Sequence, residues 1–502
     1  MDRMRIENII FPAFRFWEND TDYAVRLARA GAGGFCLYGG TPEKIRELVK
    51  TVRAINPEIL FCADYEDGAG RWVEGCAELP SNMAMGASGK NCAVYDKGYY
   101  TALQARNLGV DWVLAPVADL ATRPDSPIVN TRAFSAVPEK AGELCLSLVK
   151  GLGDGGVLSC VKHFPGHGDT AVDSHMNLPV IHQDLNCLME REVIPFSATF
   201  ETVDAVMPGH LLVPALDGKN PASLSREIVS GFLRGKLGFK GCVVTDALSM
   251  NALEGGTRCA VDALLAGADI LLVPGDPEKL CADLRVYFDE GKIPQEVSAR
   301  ALRNLAHLRR KGALLRENAP ALRGDELNGP RVRGFVSSTA EMSCAFAFPD
   351  TFKPLERGDS VTFFETGLRK PPFFAGTAQR ETANEGDSVF VATLREYGVK
   401  VKYISEPLDE PGIFCGVSFS RPRAFSGAIN MSEKDSALIN TVADRAERFF
   451  MVSFGSPFIF KSLSVQPDCG LCAFCALDEY QAFCARVLMG LEKPKGKFEY
   501  CL

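Results

Sequence analysis

The chain has 502 residues, 46% of them apolar and 24% charged, with a net charge of −8. That balance excludes a disordered or fibrous chain, and the absence of any basic run disfavours nucleic acid or an anionic membrane as partner. No apolar run approaches the roughly 18 residues of a membrane span, and the opening MDRMRIENIIFPAFRFW lacks a signal-peptide core, so a cytoplasmic location is expected.

Eight short apolar segments recur along the first 275 residues: Ile9 to Phe14, Gly34 to Tyr38, Ile59 to Ala63, Trp112 to Pro116, Gly156 to Val161, Ala205 to Met207, Cys242 to Thr245 and Ile270 to Val273. A polar loop and a helix-like stretch separate consecutive segments, as in TALQARNLG before Trp112 and RCAVDALLAGA before Ile270. Crossovers of that length join parallel strands, and strands apolar throughout are covered on both faces. Eight such units predict an α/β fold with a (β/α)8 barrel over residues 1–317.

The Pro, Gly and charge-rich stretch ENAPALRGDELNGPRVRG then predicts a linker over residues 318–335. Beyond it, strand-like VTFFE, VKVKYI, GIFCGVSF, RFFMVSF and CGLCAFCAL alternate with helix-like SVFVATLREYG, EKDSALINTVADRAE and DEYQAFCARVLMG. This predicts a smaller αβα doubly wound sandwich over residues 336–502.

Polar residues collect where the barrel strands end, the side on which barrel enzymes hold their active sites. Asp64 follows the third strand with Arg71 behind it, and Asp119 and Arg132 follow the fourth. Lys162 and His163 end the fifth, His210 the sixth and Asp246 the seventh. A lone Asp at a strand end is usually a structural cap, but a convergent ring on one face points to a site. Five of the six histidines lie between His163 and His210, three of them in KHFPGHGDTAVDSH. One reading is a metal site of His163, His167 and His175 with Asp169 or Asp173. The other, which we favour, is acid/base chemistry by His175 beside Asp173, since a neighbouring carboxylate orients the ring and favours its protonated form. Asp246, facing the barrel mouth as a carboxylate, can attack a sugar carbon.

The string KHFPGHGDTAVDSH, followed about 70 residues later by TDALSM, closely resembles the family 3 glycoside hydrolases of the β-N-acetylglucosaminidase type, and FGSP at Phe454 to Pro457 resembles their longer two-domain form. The resemblance implies a (β/α)8 barrel in which Asp246 is the nucleophile, His175 the general acid/base and Asp173 its partner. It implies further that Asp64, Arg71, Arg132, Lys162 and His163 bind the sugar hydroxyls and acetamido group, with no metal and no cofactor. The chain reads Glu66-Asp67-Gly68 where the family usually has Glu-Gly-Gly, and Ala69 and Gly70 displace the arginine that follows.

The activity so implied is retaining hydrolysis of terminal β-linked N-acetylglucosamine, on muropeptides of cell-wall recycling or on chitin fragments. A phosphorylase is the runner-up, because a histidine that has given up its proton is neutral and lets phosphate approach. A β-glucosidase of the same family is a further alternative. Cys469, Cys472 and Cys475 form a CxxCxxC pattern that could hold an Fe–S cluster or zinc, but small buried cysteines suit a strand and its following helix equally well. The 17 cysteines, odd in number and scattered, are expected to be reduced.

Overall fold

The computed structural model of the protein describes residues 5–170, 178–250, 256–348, 352–369, 384, 386–406, 412–422, 429 and 431–500. The chain forms two compact units, one of Met1–Leu79, Val94–Thr122 and Val137–Val332, the other of Pro80–Ala93, Arg123–Ala136 and Arg333–Leu502.

The first unit is a (β/α)8 barrel. Its strands are β1 (Ile10–Phe11), β2 (Ala13–Arg15), β3 (Gly34–Tyr38), β4 (Leu60–Ala63), β5 (Trp112–Val113), β6 (Leu158–Phe164), β7 (Ala205–Pro208), β8 (Cys242–Val243) and β9 (Leu271–Leu272). Neighbours from β2 to β8 pair in parallel. A parallel bridge from Val244 to Ile270 and the pairing of Ile10 with Leu271 close the ring, so β1 and β2 act as one barrel strand. Each expected apolar segment supplies one barrel strand, and apart from Arg15 every residue of these strands is buried.

Local chemistry starts the crossover helices. Thr41 caps the helix Pro42–Ile55 through the amide of Lys44, and Asp276 caps Pro277–Asp289 through that of Lys279. In both, proline takes the first helical position, where its missing N–H costs nothing. Ile45, Leu48, Val49 and Val52 then turn one face of the first of these helices to the core.

One device repeats at the N-terminal end of the barrel. Asp111 and Asp204 immediately precede a barrel strand and Asp269 stands two residues before one, and each accepts the amide of the strand before it: Phe61 at 2.9 Å, Ser159 at 2.7 Å and Val243 at 2.9 Å. Cations complete each carboxylate. Asp111 pairs with Arg53 and Arg316, Asp204 with Lys311, and Asp269 with Arg234 and Arg300.

The stretch 318–335 is packed rather than loose. Buried Glu326 accepts from the amides of Arg323 and Gly324 and from Asn107, and Pro330 opens the helix Pro330–Ser343.

The second unit holds a six-stranded sheet of β10 (Ala345–Phe346), β11 (Ser360–Gly367), β12 (Lys400–Tyr403), β13 (Ile413–Phe419), β14 (Arg448–Ser453) and β15 (Cys469–Cys472). Their order is β12-β11-β13-β14-β15-β10, parallel except for the antiparallel edge strand β10. This is a doubly wound arrangement, as expected from the alternating pattern. The helices Asn82–Ser88 and Asn130–Arg132 belong to the same unit. Ser81 donates to the Phe474 carbonyl at 2.9 Å, and Asn130 Nδ2 to Ser456 Oγ at 3.0 Å. Among the described residues no helix is long and apolar enough to cross a membrane.

Candidate active site

Two strand ends bring together the strongest ion pairs at the mouth of the barrel. Lys162, on β6, is 3% exposed and places Nζ 2.7 Å from Asp64 Oδ1, just past β4, and 2.7 Å from Glu66 Oε1. A buried ammonium must be paired, and two carboxylates leave this trio with net negative charge. The Asp64 side chain keeps 22% of its surface exposed, so a carboxylate fixed in place by Lys162 can accept hydrogen bonds from a polyol.

Asp119 organises the next strand end. Its Oδ2 lies 2.7 Å from His163 Nδ1, and its Oδ1 accepts the amides of His163 at 3.2 Å and His167 at 2.7 Å. Burial alone would push the Asp119 carboxyl up, but the imidazoles of His163 and His167 and their hydrogen bonds outweigh it and hold the group below the ordinary carboxylate range. Beside an ionised Asp119, His163 carries its proton on Nδ1 and presents Nε2 from the opposite edge of the ring. Gly168 is required for this turn, because a Cβ there would stand 2.3 Å from the Leu120 carbonyl oxygen. His167 Nδ1 meets Thr170 Oγ1 at 2.6 Å.

Asp246 follows β8 and is partly exposed, with Oδ1 accepting the amide of Ala247 at 2.7 Å. His210 supports this turn from β7. Its Nε2 lies 3.0 Å from the Ala247 carbonyl and its Nδ1 2.7 Å from Ser223 Oγ, so both ring nitrogens are engaged, one with main chain and one with a hydroxyl.

Of the other residues singled out, Arg71 sits in the turn Ala69–Arg71 with Nη1 3.4 Å from Asp67 Oδ2. The other oxygen of Asp67 is 2.9 Å from Nζ of Lys97, a lysine with no exposed side-chain surface. Asp67, the residue that departs from the family's usual Glu-Gly-Gly, thus links two cations. Arg132 belongs to the second unit, where its carbonyl accepts from Asn82 Nδ2 at 2.7 Å and its own Nη1 donates to the Ile128 carbonyl at 3.1 Å. Asp173 and His175 lie outside the described residues.

Sequence reading named Glu66 and Asp67 only as a departure from the family's usual Glu-Gly-Gly and gave them no role, and it singled out neither Lys97 nor the pairing of Asp119 with His163. Asp67 and Glu66 also lie within three residues of Asp64, a further signal of their place. Lys97, in YDKGYY, reads as a surface lysine. Among the described residues no group of three or more His, Cys, Asp or Glu is arranged to hold a metal ion. Cys469 and Cys472 are the buried ends of β15, with Cys475 buried beyond them.

Residues 17–308 match the glycosyl hydrolase family 3 N terminal domain. The chain is 34% identical over 280 residues to the β-hexosaminidase of Methylococcus capsulatus, a match covering 53% of this chain and 83% of that protein. To the β-hexosaminidase of Neisseria meningitidis serogroup C it is 34% identical over 292 residues, covering 55% and 79%. The solved glycoside hydrolase family 3 β-N-acetylglucosaminidase from Paenibacillus sp. superposes with a TM-score of 0.85 at 26% identity, covering 99% of this chain and 98% of that one. The β-glucoside phosphorylase BglX superposes with a TM-score of 0.88 at 18% identity, a likeness of fold.

Proposed function

The chain belongs to glycosyl hydrolase family 3, and from that premise we propose that it is a retaining exo-β-N-acetylglucosaminidase that removes terminal β-linked N-acetylglucosamine from small carbohydrate substrates. The reading is carried by the partly exposed Asp246, held by the Ala247 amide, in the same barrel as the Asp64–Lys162–Glu66 cluster and the Asp119–His163 pair. The relatives named for β-hexosaminidase and β-N-acetylglucosaminidase activity support the choice of sugar.

In this mechanism Asp246 attacks the anomeric carbon while His175, protonated and oriented by Asp173, gives its proton to the leaving oxygen. Neutral His175 then takes a proton from water, which attacks the glycosyl-Asp246 intermediate and releases the sugar with retained configuration. Asp64, Lys162 and His163 hold ring hydroxyls, and Arg71 completes the grip of the barrel on the sugar. The substrates we infer are muropeptide fragments handled in the cytoplasm during cell-wall recycling, with chitin-derived disaccharides meeting the same chemical description.

The deciding experiment compares hydrolysis of aryl β-glycosides of N-acetylglucosamine and of glucose, with and without phosphate. The N-acetylglucosaminide is expected to be the better substrate and free sugar the product in both buffers. Equal rates on the two sugars would remove the acetamido assignment, and phosphate-dependent formation of a sugar 1-phosphate would replace hydrolysis by phosphorolysis.

A further inference from the structure

Glu192 ends the helical segment Leu188–Glu192 and is 1% exposed. It lies against the turn that carries His163 and His167. A Cβ built on Gly166 would stand 2.8 Å from both Cβ and Oε2 of Glu192, so the carboxyl occupies the space that a side chain at 166 would need. Glu192 Oε1 accepts from Gln183 Nε2 at 3.4 Å, and the same nitrogen donates to Asp169 Oδ2 at 3.2 Å. Two acceptor atoms of this chain of contacts are buried without a hydrogen-bond partner, Glu192 Oε2 and Gln183 Oε1.

Such orphans are costly, because each buried acceptor gives up its hydrogen bonds to water without a replacement. An ionised Glu192 would be a buried charge met by Gln183 Nε2 at 3.4 Å with Oε2 unpaired, and a proton on the carboxyl removes that charge. The surrounding charge acts in both directions. Asp169 faces Glu192 from the histidine turn and Asp119 from the loop after β5, with His163 and His167 engaged at Asp119, and Arg191 is the cation on Glu192's own segment. Burial is the largest influence and raises the carboxyl to about 7, against the lowering effects of Gln183 and Arg191 and with help from Asp119 and Asp169.

We propose that Glu192 is a positioning residue that acts as a neutral acid, tying Gln183 and Asp169 to the underside of the turn whose sequence runs on into Asp173 and His175. Its ionisation sets a further carboxylate beside Asp169, with which it shares the Gln183 amide, and the like-charge repulsion loosens the turn. The functional half of this inference rests on the reading of Asp173 and His175 as the acid/base pair.

The test is the pH profile of kcat/KM for wild type and Glu192→Gln, an isosteric neutral replacement. Above neutrality wild type should lose activity through two ionisations, Glu192 and His175, and the variant through one. At about pH 8 the variant should therefore outlast wild type by roughly 10-fold relative to their rates near pH 5, since about a tenth of a group titrating near 7 is still protonated there. Superimposable profiles would overturn the proposal.

A second measurement does not depend on the variant's folding. Infrared spectra of wild type labelled with 13C-carboxyl glutamate should contain a protonated glutamic acid band near pH 6 that disappears with a midpoint near 7. Absence of the band overturns the proposal. Full activity of Asp173→Asn with the band intact would instead overturn the acid/base reading and leave Glu192 a neutral structural acid.

Discussion

At the N-terminal end of the barrel Asp111, Asp204 and Asp269 are 7%, 8% and 0% exposed, and every one of them joins a main-chain amide to a basic side chain. At the C-terminal end Asp64 and Asp246 keep part of their surface open, and Lys162 or the Ala247 amide fixes them in place. The same side chain thus serves as a fastening at one end and as an accessible, oriented carboxylate at the other. Asp119 stands between the two, buried like the basal aspartates but committed to the histidine turn. The difference teaches that an aspartate beside a barrel strand has no fixed meaning until its end of the strand and its donors are known.

Substitutions at the two ends can break this contrast. The largest effect is expected for Asp246→Asn, which should lower kcat by roughly 10⁴-fold or more, as removal of a nucleophile does, with an unchanged thermal midpoint. Substantial residual turnover would take the nucleophile away from the mouth. Asp173→Asn should cost about 10²- to 10⁴-fold in kcat, the span of acid/base assistance, and wild-type turnover there would remove the dyad. At the opposite end, Asp269→Ala strands Arg234 and Arg300 and should cost about 3–5 kcal/mol in denaturant titrations, while kcat per folded molecule stays at the wild-type value. A fall in kcat without a loss of stability would erase the division between the ends.

The strands were legible in the sequence because burial on both faces demands continuous apolar runs, such as GFCLY at 34–38 and the apolar start of LSCVKHF at 158–164. The edge strand β10 was not, since two residues of antiparallel pairing leave no periodicity to read. The basal aspartates do leave a trace in the triplets GVD, TVD and GAD that end at Asp111, Asp204 and Asp269, but a triplet carries no statement of which amide will donate to it. At the mouth, residues at strand ends could be listed from sequence, whereas Glu66, Asp67 and Lys97 acquire meaning only from the partners that folding brings within 3 Å. Glu192 was hidden for a different reason. Its neighbours Glu190 and Arg191 make it part of what reads as a solvated charge run, and only one of the two glutamates is buried.

The composition of the second unit has a consequence for synthesis. Pro80–Ala93 and Arg123–Ala136 leave the ribosome roughly 200 residues before Arg333, where the continuous part of their unit begins. Ser456 follows Asn130 by 326 residues, so at roughly 5–20 residues per second Asn130 waits about 16–65 s for its partner. A nascent chain must keep these segments soluble in the interval. For the same reason, cutting the protein at residue 333 does not yield two intact domains, because the carboxy-terminal piece leaves behind Ser81 and Asn130, which bond to Phe474 and Ser456.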